Sequence, residues 1–353
     1  MRILVLGDSY CPSAMFRPAF AVLDAGQAVD YADVVDEPDW QPVSPSERRI
    51  REVLGSPEQV IAQLDGHEVL VVQGAPVTDA VLDAAPIRLV AVARGGPVNI
   101  DLQAAADRGI PVVTTPGKNA TAVAELTLAC LVLLARRAVD AIRWIDGGGE
   151  FGLDNYEGAR WLGHDLAGHS LGLVGFGQVG RRVAARSAAF EMRILAYDPY
   201  MADEAVSGGG AQPLGLDALL AESDHISLHA RLSADNRGLF DARRFAQMRH
   251  GATFVNTARA ELADEAALHD ALVAGQLSGA AVDVASGRPA GQPHPLVGLP
   301  NVIVLPHIGG ATIDTLETGG RLAAAEVARF LAGEPLLNVA NREALAASGA
   351  MPR

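Results

Sequence analysis

Short apolar runs alternate with amphipathic stretches along most of the chain. In the first third, apolar runs at 2–7, 69–74, 89–96 and 110–117 each end in glycine. A stretch with helical spacing of its apolar residues follows the first run, at about 16–25, and similar stretches follow the second and third. Strands that alternate with helices in this way are typical of a parallel sheet with helices on its faces.

The same alternation returns in the second half of the chain. A long apolar helix is predicted at about 121–142, and the glycine-rich residues 146–152 follow it as a loop or boundary. Further strands are predicted at 192–198, 225–230, 252–258, 279–285 and 301–307. Helices fit 263–275 and about 312–332. At 353 residues the chain exceeds one typical domain, so the pattern predicts two α/β domains.

Composition and charge narrow the classes of partner. The chain carries 28 lysine and arginine residues against 42 acidic residues, a formal net charge of −14, which disfavours nucleic acid and anionic membrane as partners. Cys11 and Cys130 are the only cysteines, so no disulfide framework or cysteine-based metal site is expected, and a reducing cytoplasm is the simple interpretation. The apolar run 126–135 is too short to span a bilayer and is predicted to be a buried helix, with a subunit interface as an option.

A glycine-rich turn in mid-chain has the pattern of a dinucleotide-binding loop. Residues 172–180 read GLVGFGQVG, in which Gly175, Gly177 and Gly180 stand between a predicted strand and a predicted helix. Glycine lets the backbone approach a pyrophosphate, and the helix N-terminus offers free N–H groups to phosphates. The next predicted strand ends at Asp198, whose carboxylate would accept hydrogen bonds from ribose hydroxyls and repel a 2′-phosphate. The sequence therefore predicts that this loop binds NAD rather than NADP. The alternative is a generic tight turn followed by an ordinary aspartate at the end of a strand.

Two chemically useful side chains follow later predicted strands. Arg259 follows the strand 252–258, and His307 ends the strand 301–307. The carboxyl ends of strands in an open parallel sheet line the ligand crevice, so both side chains are expected beside the cofactor. A guanidinium can hold a carboxylate and polarise a carbonyl, and an imidazole can exchange a proton with a hydroxyl. For each residue taken alone there is an alternative: Arg259 forms a surface ion pair, and His307 is a structural histidine.

The order of motifs resembles that of the D-isomer-specific 2-hydroxyacid dehydrogenases. The resemblance covers about residues 85 to 335. Its matching stretches are RGGPVNID, PGKNATAVAEL, LAGHSLGLVGFGQVGRRVA, FVNTARAELADEAALHDAL, SGAAVDV and LPNVIVLPHIGGAT.

This resemblance implies an architecture for the whole chain. A Rossmann cofactor domain, expected at 119–310, is inserted into a flavodoxin-like substrate-binding domain formed by 1–118 and 311–353. Both would be doubly wound parallel-sheet domains of the α/β class, with the active site in the cleft where they meet. Dimers of the family bury the region around the first crossing between the domains, which suits the apolar helix at 124–135, so a homodimer is expected.

The resemblance also assigns roles residue by residue. The substrate-binding arginine falls on Arg259 and the acid/base histidine on His307. A loop that meets the acidic end of the substrate falls on Arg94, Gly95 and Gly96, although Arg94 is equally compatible with an ordinary surface position. The cofactor contacts, besides the three glycines, fall on Gln178 and Val179 at the phosphates, Asp198 at the ribose, Thr257 and Ala258 through the backbone, and Asp283 near the nicotinamide amide.

One position departs from the family pattern. A glutamate that keeps the histidine protonated normally stands five residues after the aspartate of the DV pair, which is Arg288 here. Residues 284–313 contain no Asp or Glu, so a shifted alignment does not restore it. Arg288 either points to solvent, or enters the cleft, recognises a doubly anionic substrate and disfavours the protonated imidazole.

These features lead to three hypotheses for function. The first is an NAD-dependent oxidoreductase that interconverts a small anionic 2-hydroxy acid and its 2-keto acid. The second is the same reaction with a phosphorylated or sugar-derived acid as the substrate. The third is an NAD-sensing interaction module with weak or lost catalysis, as in the C-terminal-binding-protein corepressors, which the arginine in place of the usual glutamate makes conceivable.

Overall fold

The computed structural model describes residues 1–24, 26–150, 156–287 and 292–349, and it contains two compact units. Unit 1 consists of Met1–Lys118 and Thr312–Arg353, and unit 2 of Asn119–Ala311. Unit 2 is thus inserted into unit 1 along the chain. The second crossing lies one residue later than the boundary at 310/311 that the resemblance implied.

A five-stranded parallel sheet organises unit 1. Its strands are β1 (Arg2–Gly7), β2 (Ala28–Asp33), β3 (Val69–Val72), β4 (Leu89–Val92) and β5 (Val112–Val113). The order β2-β1-β3-β4-β5 has the reversal between β1 and β3 that defines a flavodoxin-like sheet. Its helices in the first segment are α1 (Arg17–Asp24), α2 (Pro57–Gln63), α3 (Asp79–Asp83) and α4 (Leu102–Asp107), with 3-10 turns at Ser13–Phe16 and Glu47–Arg49.

A seven-stranded parallel sheet organises unit 2. Its strands are β6 (Ser170–Val174), β7 (Arg193–Tyr197), β8 (Gln212–Pro213), β9 (His225–Leu228), β10 (Ala252–Asn256), β11 (Leu277–Val282) and β12 (Val302–Val304). The order β12-β11-β10-β9-β6-β7-β8 is that of a Rossmann sheet with one added strand.

The helices of unit 2 cover both faces of its sheet. They are α5 (Ala120–Ala135), α6 (Ala138–Asp146), α7 (Gln178–Ala188), α8 (Asp203–Gly208), α9 (Leu216–Glu222), α10 (Ala242–Gln247) and α11 (Glu265–Val273), with 3-10 turns at Tyr156–Trp161 and Ala260–Leu262. The chain then returns to unit 1 through α12 (Ile313–Ala332) and ends with α13 (Arg342–Ala347). The prediction of two doubly wound α/β domains is confirmed.

Alternation along the buried strands explains why helices cover both faces of the unit 1 sheet. In β1, Ile3 and Val5 belong to a core shared with α1 and α12, whereas Leu4 and Leu6 belong to a core shared with α2, α3 and α4. All four side chains are buried, because successive residues of a strand point to opposite faces. Such continuous aliphatic runs are what a parallel sheet covered on both faces requires.

Two local predictions were wrong or incomplete. The single helix expected at 121–142 is divided into α5 and α6, because Arg137 adopts a left-handed conformation (φ 51°) between them. Strand β2 was missed, since its sequence AVDYAD is polar and the strand lies half-exposed at the edge of the sheet. Within the described residues, no helix combines the length and apolar character needed to cross a membrane.

Candidate functional site

The glycine-rich turn packs so closely that two of its glycines cannot be replaced without movement. Gly175 has φ 96°, and a Cβ atom there would lie 2.6 Å from the backbone nitrogen of Ala230, which follows β9. A Cβ atom at Gly180 would lie 2.3 Å from the carbonyl oxygen of Gly175. Gly180 therefore lets α7 approach the end of β6, and Gly175 lets the turn pass the end of the neighbouring strand.

The third glycine borders open space, as a bound pyrophosphate requires. Gly177 is exposed, caps α7, and would place a Cβ atom with no neighbour within 4 Å. Gln178 and Val179 form the first turn of α7, where backbone N–H groups have no partner within the helix. These free donors and the positive end of the helix dipole suit phosphate oxygens, so the turn fits NAD.

Asp198 follows β7 beside this turn and is fixed by backbone hydrogen bonds. Its Oδ2 accepts the N–H of Phe176 at 2.8 Å, and its Oδ1 accepts the N–H of Tyr200 at 3.0 Å. The carboxylate is half-buried. Each oxygen retains a second lone pair, so the group can still accept hydrogen bonds from ribose hydroxyls.

Arg259 stands on a turn that a buried amide holds in place. The side chain of Asn256, at the end of β10, accepts the N–H of Ala258 at 3.0 Å and donates to the carbonyl of Arg259 at 2.9 Å. Thr257 is buried, and its hydroxyl lies 3.2 Å from that of Thr127 on α5. Sequence reasoning missed Asn256, although its place directly before the predicted site residues was a usable signal.

The guanidinium of Arg259 remains available for a ligand. The side chain is exposed, and its only hydrogen bond within the described residues goes from Nη1 to the carbonyl of Ala258, at 2.7 Å. No carboxylate of the described residues lies within 4 Å of it. A guanidinium without a counter-ion can still form a bidentate pair with an incoming carboxylate.

His307 lies on a loop that Asp283 holds in an unusual conformation. His307 is exposed with φ 60°, in the left-handed region that non-glycine residues seldom adopt. The buried carboxylate of Asp283 accepts the N–H groups of Ile308 and Gly309 at 2.8 and 2.7 Å. A Cβ atom at Gly309 would lie 2.7 Å from Oδ2 of Asp283, so only glycine fits against this carboxylate.

Adjacent strand ends bring these residues to one edge of the unit 2 sheet. Arg259 follows β10, Asp283 follows β11 and His307 follows β12, and these strands are neighbours in the order β12-β11-β10. The glycine-rich turn and Asp198 follow β6 and β7 at the same edge. Because ligands of open α/β sheets bind at the carboxyl ends of the strands, the edge can hold a cofactor and a reacting group together.

In unit 1, the loop expected at the substrate starts with an arginine that is already paired. The Nη1 of Arg94 donates to the carbonyl of Glu52 at 3.0 Å, and Nη2 contacts the Glu52 carboxylate. Gly95 and Gly96 are exposed, and a Cβ atom at Gly96 would meet nothing within 4 Å. The loop therefore offers open backbone at the glycines, while the charge of Arg94 is balanced within unit 1.

Arg288 lies outside the described residues. Its role in substrate binding stays a prediction from the sequence.

A separate cavity of ≈ 780 Å³ opens at the opposite edge of the unit 2 sheet. It is lined by residues at the amino ends of the strands, among them His169, His225, Thr253 and Asn301. Burial lowers the pKa of His225 to about 4, and the neighbouring His169 adds to this effect. None of the predicted site residues lines this cavity, so it is not assigned to the cofactor or the substrate.

The chain is similar to known proteins in sequence. Residues 128–309 match the family model described as D-isomer specific 2-hydroxyacid dehydrogenase, NAD binding domain. The D-3-phosphoglycerate dehydrogenase of Archaeoglobus fulgidus is 35% identical over 288 residues, which cover 81% of this chain and 54% of that protein. The chain thus spans about half the length of the curated relatives that it matches.

Solved structures resemble the whole chain. The TT0316 protein from Thermus thermophilus has a TM-score of 0.76 at 31% identity, covering 96% of this chain and 100% of that one. A glyoxylate reductase from Paecilomyes thermophila has a TM-score of 0.73 at 26% identity, covering 96% and 98%.

Proposed function

Because the chain belongs to the D-isomer-specific 2-hydroxyacid dehydrogenase family and its residues 128–309 form the NAD-binding domain of that family, we propose that it is an NAD-dependent oxidoreductase of 2-hydroxy acids. The reaction interconverts a 2-hydroxy acid and the corresponding 2-keto acid by action on the CH–OH group. The observation that carries this proposal is the free guanidinium of Arg259 two strands from His307, at the edge that bears the dinucleotide turn.

Arg259 binds the substrate carboxylate and polarises the carbonyl to be reduced. Its side chain is exposed and lacks a carboxylate partner within the described residues, while the turn beneath it is held by Asn256. A planar guanidinium can form two parallel hydrogen bonds to an anion, which orients the substrate as well as binding it.

His307 exchanges a proton with the oxygen of the reacting carbon. When bound, NADH supplies a hydride to that carbon. The protonated imidazole gives a proton to the carbonyl oxygen during reduction, and the neutral imidazole takes one from the hydroxyl during oxidation. Asp283 fixes the backbone directly after the histidine and so limits where the ring can lie.

Other residues retain the roles that the resemblance implied. Unit 1 binds the substrate through the open backbone of Gly95 and Gly96, and Arg288 is a further candidate for substrate binding. The cofactor is held by the turn at Gly175, Gly177, Gln178, Val179 and Gly180, and by Asp198, Thr257, Ala258 and Asp283. The substrate is a small anionic acid, in keeping with the names of the relatives, and a phosphorylated or sugar-derived acid belongs to the same class.

A homodimer and a cytoplasmic location complete the proposal. The apolar side chains of Leu128, Val132 and Leu133 on α5 are only half-buried, which supports a partner subunit at this helix. Cys11 and Cys130 are free thiols, which is compatible with a reducing compartment.

An NAD-sensing module without catalysis is the second candidate, because Arg288 replaces the family's usual glutamate. Turnover of a panel of 2-keto acids with NADH, followed by absorbance at the nicotinamide band, distinguishes the two. We expect saturable reduction of at least one acid. NADH binding without reduction of any acid would favour the sensor.

NADH should bind more tightly than NADPH because of Asp198. In Asp198→Asn, the loss of the negative charge should narrow the ratio of the two dissociation constants by about tenfold. The amide still accepts one backbone N–H, so this variant disturbs the turn less than Asp198→Ala. Titration of both cofactors by calorimetry measures the effect, and an unchanged ratio would remove Asp198 from cofactor selection.

A further inference from the structure

Arg181, the fourth residue of α7, extends toward the loop that follows β7. Its Nη2 contacts Sδ of Met201, three residues after Asp198, at 3.3 Å, and its Nε donates to the carbonyl of Phe176 at 3.3 Å. The central carbon of the guanidinium lies 5.9 Å from the centre of the Phe176 ring. The side chain therefore reaches from the glycine-rich turn to the loop that carries Asp198.

Arg181 and Asp198 are held by the backbone of the same residue. The N–H of Phe176 donates to Oδ2 of Asp198 at 2.8 Å, and the carbonyl of Phe176 accepts the hydrogen bond from Arg181. The ring of Phe176 is fully buried, and a Cβ atom at Gly209 would lie 2.5 Å from its Cε1. Because this packing fixes Phe176, the carboxylate and the guanidinium are both held at the part of the unit 2 edge where the ribose is expected.

The guanidinium of Arg181 has no counter-ion. The side chain is exposed, and within the described residues its Nη1 takes part in no hydrogen bond and no carboxylate oxygen lies within 4 Å of it. Asp203 and Glu204 begin α8 shortly after Met201, and neither comes within that distance. A planar guanidinium with free donors can form two parallel hydrogen bonds to a phosphate.

Other arginines at this edge that lack a carboxylate partner in the described part of the chain lie elsewhere. Arg182 donates to the carbonyl and the side chain of Gln178 and to the hydroxyl of Thr121 on α5, so it lies between α5 and α7. Arg231 follows β9 and Arg259 follows β10, and both strands lie on the other side of β6 from β7. Arg181 is thus the arginine that lies beside the loop after β7.

We propose that Arg181 binds a phosphate on the 2′-oxygen of the adenosine ribose, so that the chain accepts NADP(H) as a second and weaker cofactor. The inference rests on the proposed function, in which Asp198 accepts hydrogen bonds from the ribose hydroxyls. A phosphate monoester carries about two negative charges at neutral pH, and Asp198 repels it. The positive charge of Arg181 offsets part of this repulsion, which limits the preference for NADH over NADPH.

Calorimetry with fragments of the two cofactors tests this inference without turnover. The probes are adenosine 2′,5′-bisphosphate, which carries the phosphate in question, and 5′-AMP, which lacks it. In Arg181→Gln, the dissociation constant of the bisphosphate should rise about tenfold or more, because a charge-assisted contact is lost, whereas that of 5′-AMP should change less than about twofold. Arg181→Lys keeps the charge and should lose less. Equal changes for the two probes would overturn the proposal.

Further variants separate the local charges from the net charge. Asp198→Asn removes the repulsion and should tighten binding of the bisphosphate, and Arg181→Gln added to it should reverse this gain. Arg193→Gln removes the same charge from the amino end of β7, where Arg193 pairs with Glu222, and should leave both dissociation constants unchanged. Equal effects of Arg181→Gln and Arg193→Gln would show that no phosphate contacts Arg181 and would contradict the proposal.

Titrations of the whole cofactors distinguish failure of this inference from failure of the proposed function. In Arg181→Gln, the ratio of the dissociation constants of NADPH and NADH should rise about tenfold or more. If NADH binds to the native protein and neither NADPH nor the bisphosphate does, only this inference fails. If neither NADH nor 5′-AMP binds, both fail. If both cofactors bind but no keto acid is reduced, the proposed function fails, and the effect of Arg181→Gln still decides the role of Arg181.

Discussion

Replacing Arg259 by alanine should abolish measurable reduction of 2-keto acids, with a loss in kcat/KM of about 10³-fold or more. The physical reason is the loss of the charged, bidentate contact that holds the substrate carboxylate and polarises the carbonyl. NADH binding should survive, because the side chain of Arg259 makes no hydrogen bond to the glycine-rich turn or to Asp198. Steady-state kinetics and a separate calorimetric titration of NADH measure the two effects.

Two further variants control for charge and for folding. Arg259→Lys keeps the positive charge but loses the planar fork, so its activity should lie between those of the native protein and the alanine variant. Arg243 is exposed on α10 in the same unit, and Arg243→Ala should behave like the native protein. Near-normal turnover by Arg259→Ala would remove the residue from the mechanism.

Replacing His307 by asparagine should lower kcat about 10²–10⁴-fold, because the proton donor of the reduction is lost. Asparagine is suited to this test, since it tolerates the left-handed conformation that the histidine adopts, with φ 60°. The loop held by Asp283 should therefore persist, and the change in rate should report the missing imidazole.

The pH–rate profile shows whether the fall in kcat of His307→Asn is due to the missing proton donor. The shape of the pH–rate profile should differ between the native protein and His307→Asn, while the dissociation constant of the variant for NADH stays close to the native value. Loss of NADH binding together with activity would show that the substitution disturbed the cofactor edge. An unchanged profile and an unchanged rate would assign the proton transfer to another group.

The sequence by itself determined the buried strands of both sheets and the position of the cofactor turn. Buried parallel strands require runs of aliphatic residues, and such runs are visible in the sequence at β1 and β6. Gly180 is restricted to glycine by the carbonyl of Gly175, five positions earlier, and the positive φ of Gly175 is also a local property. The spacing of the glycines between a predicted strand and a predicted helix therefore located the turn. The rule that ligands meet the carboxyl ends of strands then placed Arg259 and His307 at one edge.

Only the tertiary structure decided which charges and polar groups are free. Arg94 and Glu52 are 42 positions apart, and no local sequence pattern predicts that Glu52 neutralises the charge of Arg94. Asp283 was predicted from the family resemblance as a cofactor contact, while its hydrogen bonds to the loop after His307 are visible only in the fold. Lys118 has an ordinary place in the sequence, yet in the fold its half-buried side chain packs against Gly319, which is far from it along the chain. Local sequence encodes strands and turns through steric preference, whereas the balance of charge at a site depends on which distant residues folding brings together.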